Sequence, residues 1–531
     1  ARNQKPAPGI SSDSFLIHSG PPAVYQLRPK KGKIESLTKI TVGKKNINKI
    51  NKTILLVGET GGGKSTLINT LVNYTMGVKW EDQVWFQIVE EEKKSQTESQ
   101  TSDVFVYEIF GFEGKTLPYS LTIIDTPGYG DTRGLGHDDT IGERLLDLFR
   151  SDDGVHELHA VGLVMKATDN RLSDRQKYIF NSMISLFGKN LEKNILALMT
   201  HSDGMPPKNP LKALEDAKIK CAKNEKNEPV HFLFDNQQSK ERKKEYEDAL
   251  KYSWDLTEKQ MGYFVTFLES CGPEKLMKTK KVLKKRLKLK ASIQNLQERI
   301  NLNELKQTEI KQLQVALKKH EESMKKNENF IVEFDEGYKE KEIIKGGMWG
   351  LFYEGALCCT VCEENCHYPG CTTAWYPGHC QVMKDGCCTV CTKKCPASKH
   401  VKEKWKYVTK TRRVTKTLED MKAKYERNKD EGQNKSSLLE NLEKEMIQLT
   451  AERSKYLDES YQHAVKLEEI ALKVNPVSSL VHFDFLIEKM TEKGDTEKVQ
   501  KLEEMRSRVD EETRAVVEQV QRKLTIIGQS S

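Results

Sequence analysis

Two periods of hydrophobicity divide this chain. Between Lys52 and Cys271, short apolar runs at residues 53–57, 104–109, 121–124, 160–165, 195–200 and 230–234 alternate with amphipathic stretches long enough for helices. Runs of that length, separated by helical spans, predict an α/β domain around a largely parallel sheet. Residues 1–50 carry Pro and Gly at several points and possible strands at 23–27 and 40–42, so they read as a leader packing on the domain at 51–272.

After Pro273 the chain turns to Lys, Glu, Gln and Leu, with apolar residues at helical spacing through Met324, so 273–328 reads as a helical arm. A second arm is expected over 417–475. Alternating steps of three and four from Leu418 meet Met421, Tyr425, Leu439, Leu442, Met446, Leu449, Tyr456, Leu467, Ile470 and Val474. That seam predicts a coiled coil, loose or locally polar where Gly432, Arg453 and Ser460 fall on it. The arms flank a compact insertion at 329–416, so the simplest arrangement is an antiparallel α-helical hairpin with the insertion at its tip. A parallel dimer is the alternative. Pro476 breaks the second arm, and 476–531 reads as two or three further helices.

Length and composition narrow the picture. With 531 residues the chain exceeds what one core holds, which implies two or more units. Hydrophobic residues are 37% and charged residues 31%, so the extra length belongs in solvated helices. No run approaches the roughly 18 apolar residues of a membrane span, and residues 1–14 lack a signal-peptide apolar stretch; a cytoplasmic location is the expectation. The 86 basic and 78 acidic residues nearly cancel to +8, which argues against nucleic acid as partner. The segment from Lys275 to Lys290 holds nine basic residues and no acidic one, interleaved with Leu276, Val282, Leu283, Leu287 and Leu289. It reads as a solvated helix face, with contact to a membrane surface as the rival.

Chemistry enters directly after the first apolar run. Gly58-Glu59-Thr60-Gly61-Gly62-Gly63-Lys64-Ser65 matches G-x-x-x-x-G-K-[ST], followed by Thr66 and an amphipathic helix. In that context glycine N–H groups close around phosphates, Lys64 reaches the terminal phosphates and the Ser65 hydroxyl coordinates Mg2+. A second strand ends in Asp125-Thr126-Pro127-Gly128, where the carboxylate holds the metal through water and Gly128 N–H senses a γ-phosphate. The run at 195–200 leads into Thr200-His201-Ser202-Asp203. A carboxylate there accepts two hydrogen bonds from guanine and none from adenine, so GTP and GDP are expected, with His201 stacking on the base. Asn236, after the next strand, is the candidate for the base edge. Polar residues 90–102 read as switch I, with Thr101 as ligand of Mg2+ and γ-phosphate sensor and Thr97 in reserve. Tyr129 follows Gly128 where Ras-type enzymes place glutamine, so turnover is expected to be slow unless a partner, Arg133 or Thr101 supplies the missing group.

Together with Asp125-Thr126-Pro127-Gly128-Tyr129-Gly130-Asp131, Arg171-Leu172-Ser173, Leu186-Phe187-Gly188 and Thr200-His201-Ser202-Asp203, the P-loop resembles septin and immunity-associated (GIMAP/AIG-type) GTPases, with the Toc chloroplast receptors as cousins. The resemblance covers residues 50–265 and implies a Ras-like fold and GTP-dependent dimerisation across the nucleotide face. Septins carry Ala-Lys-x-Asp where this chain has Thr-His-Ser-Asp, which is closer to the immunity-associated and Toc branch.

Ten of the twelve cysteines lie between Cys358 and Cys395. Cys358-Cys359-Thr360-Val361-Cys362 with Cys366 recurs as Cys387-Cys388-Thr389-Val390-Cys391 with Cys395, and His367, Cys371, His379, Cys380 and His400 stand nearby. Two Cys-x-x-Cys units with added Cys and His supply two or more tetrahedral Zn2+ sites. Disulfides are the rival, set aside because a GTP site implies a reducing compartment. The ligand set expected is Cys358, Cys359, Cys362, Cys366, His367, Cys371, Cys380, Cys387, Cys388, Cys391 and Cys395, with His379 and His400 open. The flanks at 330–334 and 405–414 alternate like strands and are expected to pair beneath the metals.

The leading reading is a GTP-switched assembly protein, a homodimer or higher oligomer through the G domain and coiled coil. Its arm presents a zinc-bound tip to a protein partner. Two rivals are an SMC-like ATPase with a zinc hook acting on DNA and a scaffold that holds GTP without hydrolysing it. Residues 477–531 lack the apolar strand ending in Asp-Glu that the former requires.

Overall fold

The computed structural model describes residues 14–34, 37–89, 104–126, 135–187, 189–326, 329–344, 355–371, 376–426, 438–470 and 476–507. The chain divides into two compact units, Ala1–Lys284 with Ile470–Ser478 and Val509–Ser531, and Lys285–Glu469 with Ser479–Arg508.

In the first unit the strands are β1 (Ser14–His18), β2 (Ala23–Leu27), β3 (Lys30–Ile34), β4 (Leu37–Val42), β5 (Asn51–Gly58), β6 (Val84–Gln87), β7 (Phe105–Ile109), β8 (Ser120–Asp125), β9 (Glu157–Leu158), β10 (Ala160–Lys166), β11 (Ile195–Thr200), β12 (His231–Leu233) and β13 (Glu274–Lys275). Its helices are α1 (Lys64–Met76), α2 (Leu135–Arg150), α3 (Asp174–Ile184), α4 (Lys208–Asp216) and α5 (Glu247–Ser270). One eight-stranded sheet runs β12-β11-β10-β5-β8-β7-β4-β3. Strands β12, β11, β10, β5 and β8 are mutually parallel, and β7 is antiparallel to β8. This is the α/β P-loop GTPase-like arrangement, mostly parallel and buried on both faces, which is why these strands read as continuous apolar runs. Ile54 and Leu56 join Leu67, Leu71, Met261 and Phe264 in one core, while the equally buried Leu55 and Val57 alternate to the other face.

The leader is built into this architecture. Strand β4 extends the sheet parallel to β7, β3 closes the edge antiparallel to it, and β1 and β2 join β6 in a separate sheet. Strand β3 was not legible because its sequence, Lys-Lys-Gly-Lys-Ile, is that of a lysine-guarded edge.

The second unit contains most of α6 (Met277–Lys319), then α7 (Glu321–Lys325), β14 (Ile331–Ile343), β15 (Gly355–Cys359), β16 (Glu364–Cys371), β17 (Met383–Lys384), β18 (Cys387–Cys388), β19 (His400–Glu403), β20 (Trp405–Thr417), α8 (Leu418–Glu426), α9 (Leu438–Ile470), α10 (Pro476–Lys493) and α11 (Thr496–Ser507). The expected flanking strands pair as β14 and β20, an antiparallel ribbon from Ile331↔Thr417 to Ile343↔Trp405. Two findings correct the expected hairpin.

First, the ribbon folds back along α6. Asp335 N–H donates to Gln312 Oε1 at 2.8 Å, and a Cβ on Gly337 would come within 3.0 Å of Leu305 Cβ, so glycine permits the close approach. The cysteine-rich insertion consequently rests against α6 near Asn295 and Arg299, roughly 35 Å back from the Lys319 end at 1.5 Å per residue, and not at a tip.

Second, the second arm is helical over α8 and α9, with 427–437 outside the described residues, and its packing is not that of a bare coiled coil. Leu418, Met421, Leu442 and Leu449 of the expected seam are buried, but their cluster also takes Val332 and Phe334 from β14. The ribbon therefore forms part of the packing, which a bare coiled coil does not have. Arg453, expected to make the seam polar, pairs with Glu304 of α6 at 2.7 Å and Glu492 of α10 at 2.6 Å. Tyr425, Gly432 and Val474 lie outside the described side chains.

In the segment from Lys275 to Lys290, Leu276, Leu283, Leu287 and Leu289 are buried and Met277 is exposed. Among the described residues no helix is long and apolar enough to cross a membrane.

Candidate functional site

The carboxyl ends of β5, β8, β10 and β11 converge on the glycine-rich loop. Gly61 and Gly63 take φ of +81° and +87°, the left-handed region open to glycine, and a Cβ at Gly58 would meet the Val164 carbonyl at 2.7 Å. Thr200 Oγ1 donates to Gly62 O at 2.7 Å and ties the loop to the end of β11. Gly63 caps α1 without a side-chain bond, which leaves the first-turn N–H groups for a ligand. Inside this cradle Lys64 Nζ lies 2.5 Å from Asp125 Oδ1 and 2.8 Å from Thr126 O. Thr126 is in turn held by a 2.8 Å bond from its Oγ1 to Leu56 O. Lys64 and Asp125 are 8% and 1% exposed, and the half-buried Ser65 follows on α1. The glycines and the inward lysine fit phosphate oxygens, and Ser65 with Asp125 fits Mg2+.

Sequence reasoning missed Arg175 on α3, whose Nε is 3.6 Å from Glu59 of the loop. Burial raises the Glu59 carboxyl above its ordinary range, and Arg175 opposes that shift. Thr60 is half-buried and Thr66 exposed.

At the other end of the site, Ser202 N–H donates to Phe234 O at 3.1 Å and joins the loops after β11 and β12. Asp203 Oδ1 accepts Met205 N–H at 2.9 Å, and Tyr252 Oη donates to Asp203 O at 2.9 Å. The carboxylate is thus fixed in an exposed position with acceptor capacity left. His201 takes φ of +55° with Nδ1 3.0 Å from Thr200 Oγ1. Asn236 is the informative residue: Oδ1 and Nδ2 are both buried and have no hydrogen-bond partner among the described residues. A buried amide left unpaired is costly, and a base edge supplying a donor and an acceptor relieves it. Thr97, Thr101, Gly128, Tyr129 and Arg133 lie outside the described residues.

The cysteine module is a three-stranded sheet, β16-β15-β19, beside the β17–β18 hairpin, whose Asp385-Gly386 turn has positive φ at both positions. Two groups of donors assemble: Cys359, Cys362, Cys391 and Cys395; and Cys366, Cys388, Cys391 and His400, with the donor atoms of each within 4.8 Å of one another. Each group mixes the two repeats. Backbone N–H groups of Cys362 and Cys391 face the sulfurs of Cys359 and Cys388 at 3.4 Å, the arrangement of a Cys-x-x-Cys knuckle. Burial pushes the Cys359 and Cys362 thiols up to about 11, so a metal would have to displace protons. Soft sulfurs with one imidazole fit zinc. The described cysteines are unbridged by disulfide.

Four of the expected ligands stand outside both groups. Successive residues of a strand face opposite ways, so Cys359 joins the donors while Cys358 packs with Ala356 and Tyr407. Cys387 is exposed at the equivalent place in the second repeat. His367 Nδ1 and Cys380 Sγ pair with each other at 3.1 Å. The side chain of Cys371 is outside the description, and His400, left open by sequence, completes the second group. Glu364 anchors the module to α6, taking Arg299 Nη2 at 3.1 Å and Thr392 N–H at 3.0 Å.

Comparisons with known proteins bear on the first unit. Residues 52–267 match the AIG1 family, less than half of the chain, and this covers the P-loop domain and no part of the cysteine module. The match falls on the immunity-associated branch of the resemblance and carries nothing particular to septins. Toc33 from Arabidopsis thaliana in complex with GDP and Mg2+ is 15% identical with a TM-score of 0.29, over 42% of this chain and 86% of that one. The same protein with Mg2+ and GMPPNP is 16% identical with a TM-score of 0.29, over 42% and 87%. A structure reported under the statement that dimerization is important for the GTPase activity of the chloroplast translocon components atToc33 and psToc159 is 16% identical, TM-score 0.24, over 39% and 82%. No relative is found among curated protein sequences. The strand order above carries the fold assignment.

Proposed function

We propose that this chain is a cytoplasmic guanine-nucleotide switch with slow GTP hydrolysis, whose GTP-bound G domain self-associates, and whose zinc-bound module recruits a protein partner. One observation carries the nucleotide reading: the glycine cradle holds Lys64 on Asp125, and it is supported by the exposed Asp203 after β11 and by the buried Asn236 amide after β12, which has no partner among the described residues. Residues Gly58 to Thr66 enclose the phosphates, Ser65, Asp125 and Thr101 hold Mg2+, and Gly128 N–H reads the γ-phosphate. Thr200 braces the loop, His201 stacks on the base, and Asp203 accepts the guanine N1 and N2 donors with Asn236 beside it. Magnesium bound there offsets charge on the β- and γ-phosphate oxygens. The proposal of slow turnover rests on Tyr129, which cannot orient water as a glutamine does, so a second copy or a partner supplies the missing group.

The test is light scattering of purified protein in GDP and in a non-hydrolysable GTP analogue, with bound nucleotide identified after denaturation. A mass that doubles or grows with the analogue alone supports the switch. An unchanged mass with retained GTP points to a scaffold that keeps its nucleotide. Absence of any guanine nucleotide binding removes the reading.

A further inference from the structure

Cys391 belongs to both donor groups. Seven side chains therefore provide two complete sets of four, provided one thiolate serves twice. Resting on the zinc reading above, we propose that the module holds a two-metal thiolate cluster in which Cys391 Sγ bridges the ions. One ion is completed by Cys359, Cys362 and Cys395 and the other by Cys366, Cys388 and His400.

Three observations carry this. The first is spacing. A tetrahedral ion with Zn–S of about 2.3 Å sets its ligand sulfurs about 3.8 Å apart, and Cys362 Sγ stands 3.8 Å from Cys395 Sγ. The second is His400, 4% exposed. Its Nδ1 lies 3.0 Å from Pro396 O, and a carbonyl can only accept, so the proton sits on Nδ1 and Nε2 keeps a lone pair. The buried ring faces the sulfurs of Cys366, Cys388 and Cys391, as an imidazole oriented for a metal by its other nitrogen does. The third is enclosure. Cys366 and Cys391 are fully buried, packed with Leu357, Val382 and Val390, so a water is poorly placed to replace a missing ligand. Cys391 Sγ also accepts Cys395 N–H at 3.2 Å, which stabilises a sulfur carrying negative charge. Sharing one thiolate lowers the negative charge that two separate sets of sulfur ligands would place in this interior.

The full-length chain is stripped of metal under reducing conditions and titrated anaerobically with Co2+, followed by absorption and electron paramagnetic resonance. The expected result is thiolate-to-cobalt charge transfer throughout. The high-spin resonance should rise with the first equivalent and fall with the second, as ions sharing a sulfur couple antiferromagnetically. Cys391→Ser is expected to weaken uptake of the second ion by about 10-fold or more and to abolish the fall in signal, whereas Cys359→Ser perturbs one ion. If Cys391→Ser does not fold, the wild-type titration decides alone. A resonance that grows linearly through two equivalents, or uptake of a single ion, overturns the bridge and leaves the zinc reading intact. Absence of thiolate-to-cobalt charge transfer overturns both.

Discussion

Lys64 Nζ touches Asp125 Oδ1 at 2.5 Å inside a cradle that excludes most water from both side chains. The lysine proposed to reach the nucleotide is thus held by the carboxylate proposed to hold its Mg2+. Replacing Lys64 by Met removes a charge-assisted contact worth about 1.5–3 kcal/mol, which lowers nucleotide affinity by about 10–100-fold. It also takes away the buried cation beside the Asp125 carboxylate, which should lower stability measured without nucleotide. The double variant Lys64→Met, Asp125→Asn should regain part of the stability and none of the affinity. Urea denaturation without nucleotide and titration with fluorescent GDP read the two quantities separately.

Asp203 is exposed, and its Oδ1 accepts Met205 N–H at 2.9 Å. Asparagine keeps that acceptor but places a donor where guanine presents donors. Asp203→Asn should therefore leave the melting temperature within about 2 °C of wild type, since surface changes of this kind stay near ±0.5 kcal/mol. Guanine affinity should fall by about 10–100-fold and adenine affinity should not change. Competition of GDP and ADP for a labelled nucleotide measures this. Retained preference for GDP would assign base selection to Asn236 instead.

The P-loop and Asp125 were legible because local spacing alone fixes their chemistry: a strand, a glycine-rich turn and a helix start leave one place for phosphate. Asp203 was legible as the end of a buried strand. How the cysteines group was not legible in the sequence. Which cysteine of Cys358-Cys359 faces the donors depends on the pleat of β15, and His400 reaches them only because β19 pairs beside β15. The direction of the β14–β20 ribbon was hidden too, since it depends on contacts such as Gln312 with Asp335, which join residues 23 positions apart. Helical spacing in the second arm predicted helix correctly but not its partners, because an apolar stripe packs equally well on a helix or on a ribbon.

His159 gives the first unit a pH dependence. It is 2% exposed, its Nδ1 accepts Thr53 N–H at 3.1 Å, and its carbonyl accepts Asn194 Nδ2 at 3.0 Å. Burial, with Lys52 nearby, pushes its pKa down from 6.5 to about 4. The folded state thus favours neutral imidazole while the unfolded chain takes up the proton first. This contribution is fully present above pH 6.5 and is lost as pH falls toward 4, by up to about 1.4 kcal/mol per pH unit. Denaturation midpoints between pH 7.5 and 4.5 should fall more steeply for wild type than for His159→Asn. Parallel curves would mean that His159 does not carry the effect.

Metal removal separates the two units by their sources of stability. The module's interior consists largely of cysteines with Leu357, Val382, Met383 and Val390, too few apolar side chains to order the segment alone. Structural zinc sites contribute on the order of 10 kcal/mol or more, comparable to the whole stability of a small domain. The P-loop domain depends instead on buried strands such as β5, β8 and β11. Chelation of the full chain under reducing conditions should therefore raise amide hydrogen exchange across residues 355–403, while β5, β8 and β11 keep their protection. The anchors of the module on α6, Asn295 and Arg299, lose Glu364 in the same step, so exchange should also rise locally around 291–299. Re-addition of Zn2+ should restore both regions together. Protection at 355–403 that survives chelation with the metal shown to be gone would place the stability of the module in its sheet and not in its ions.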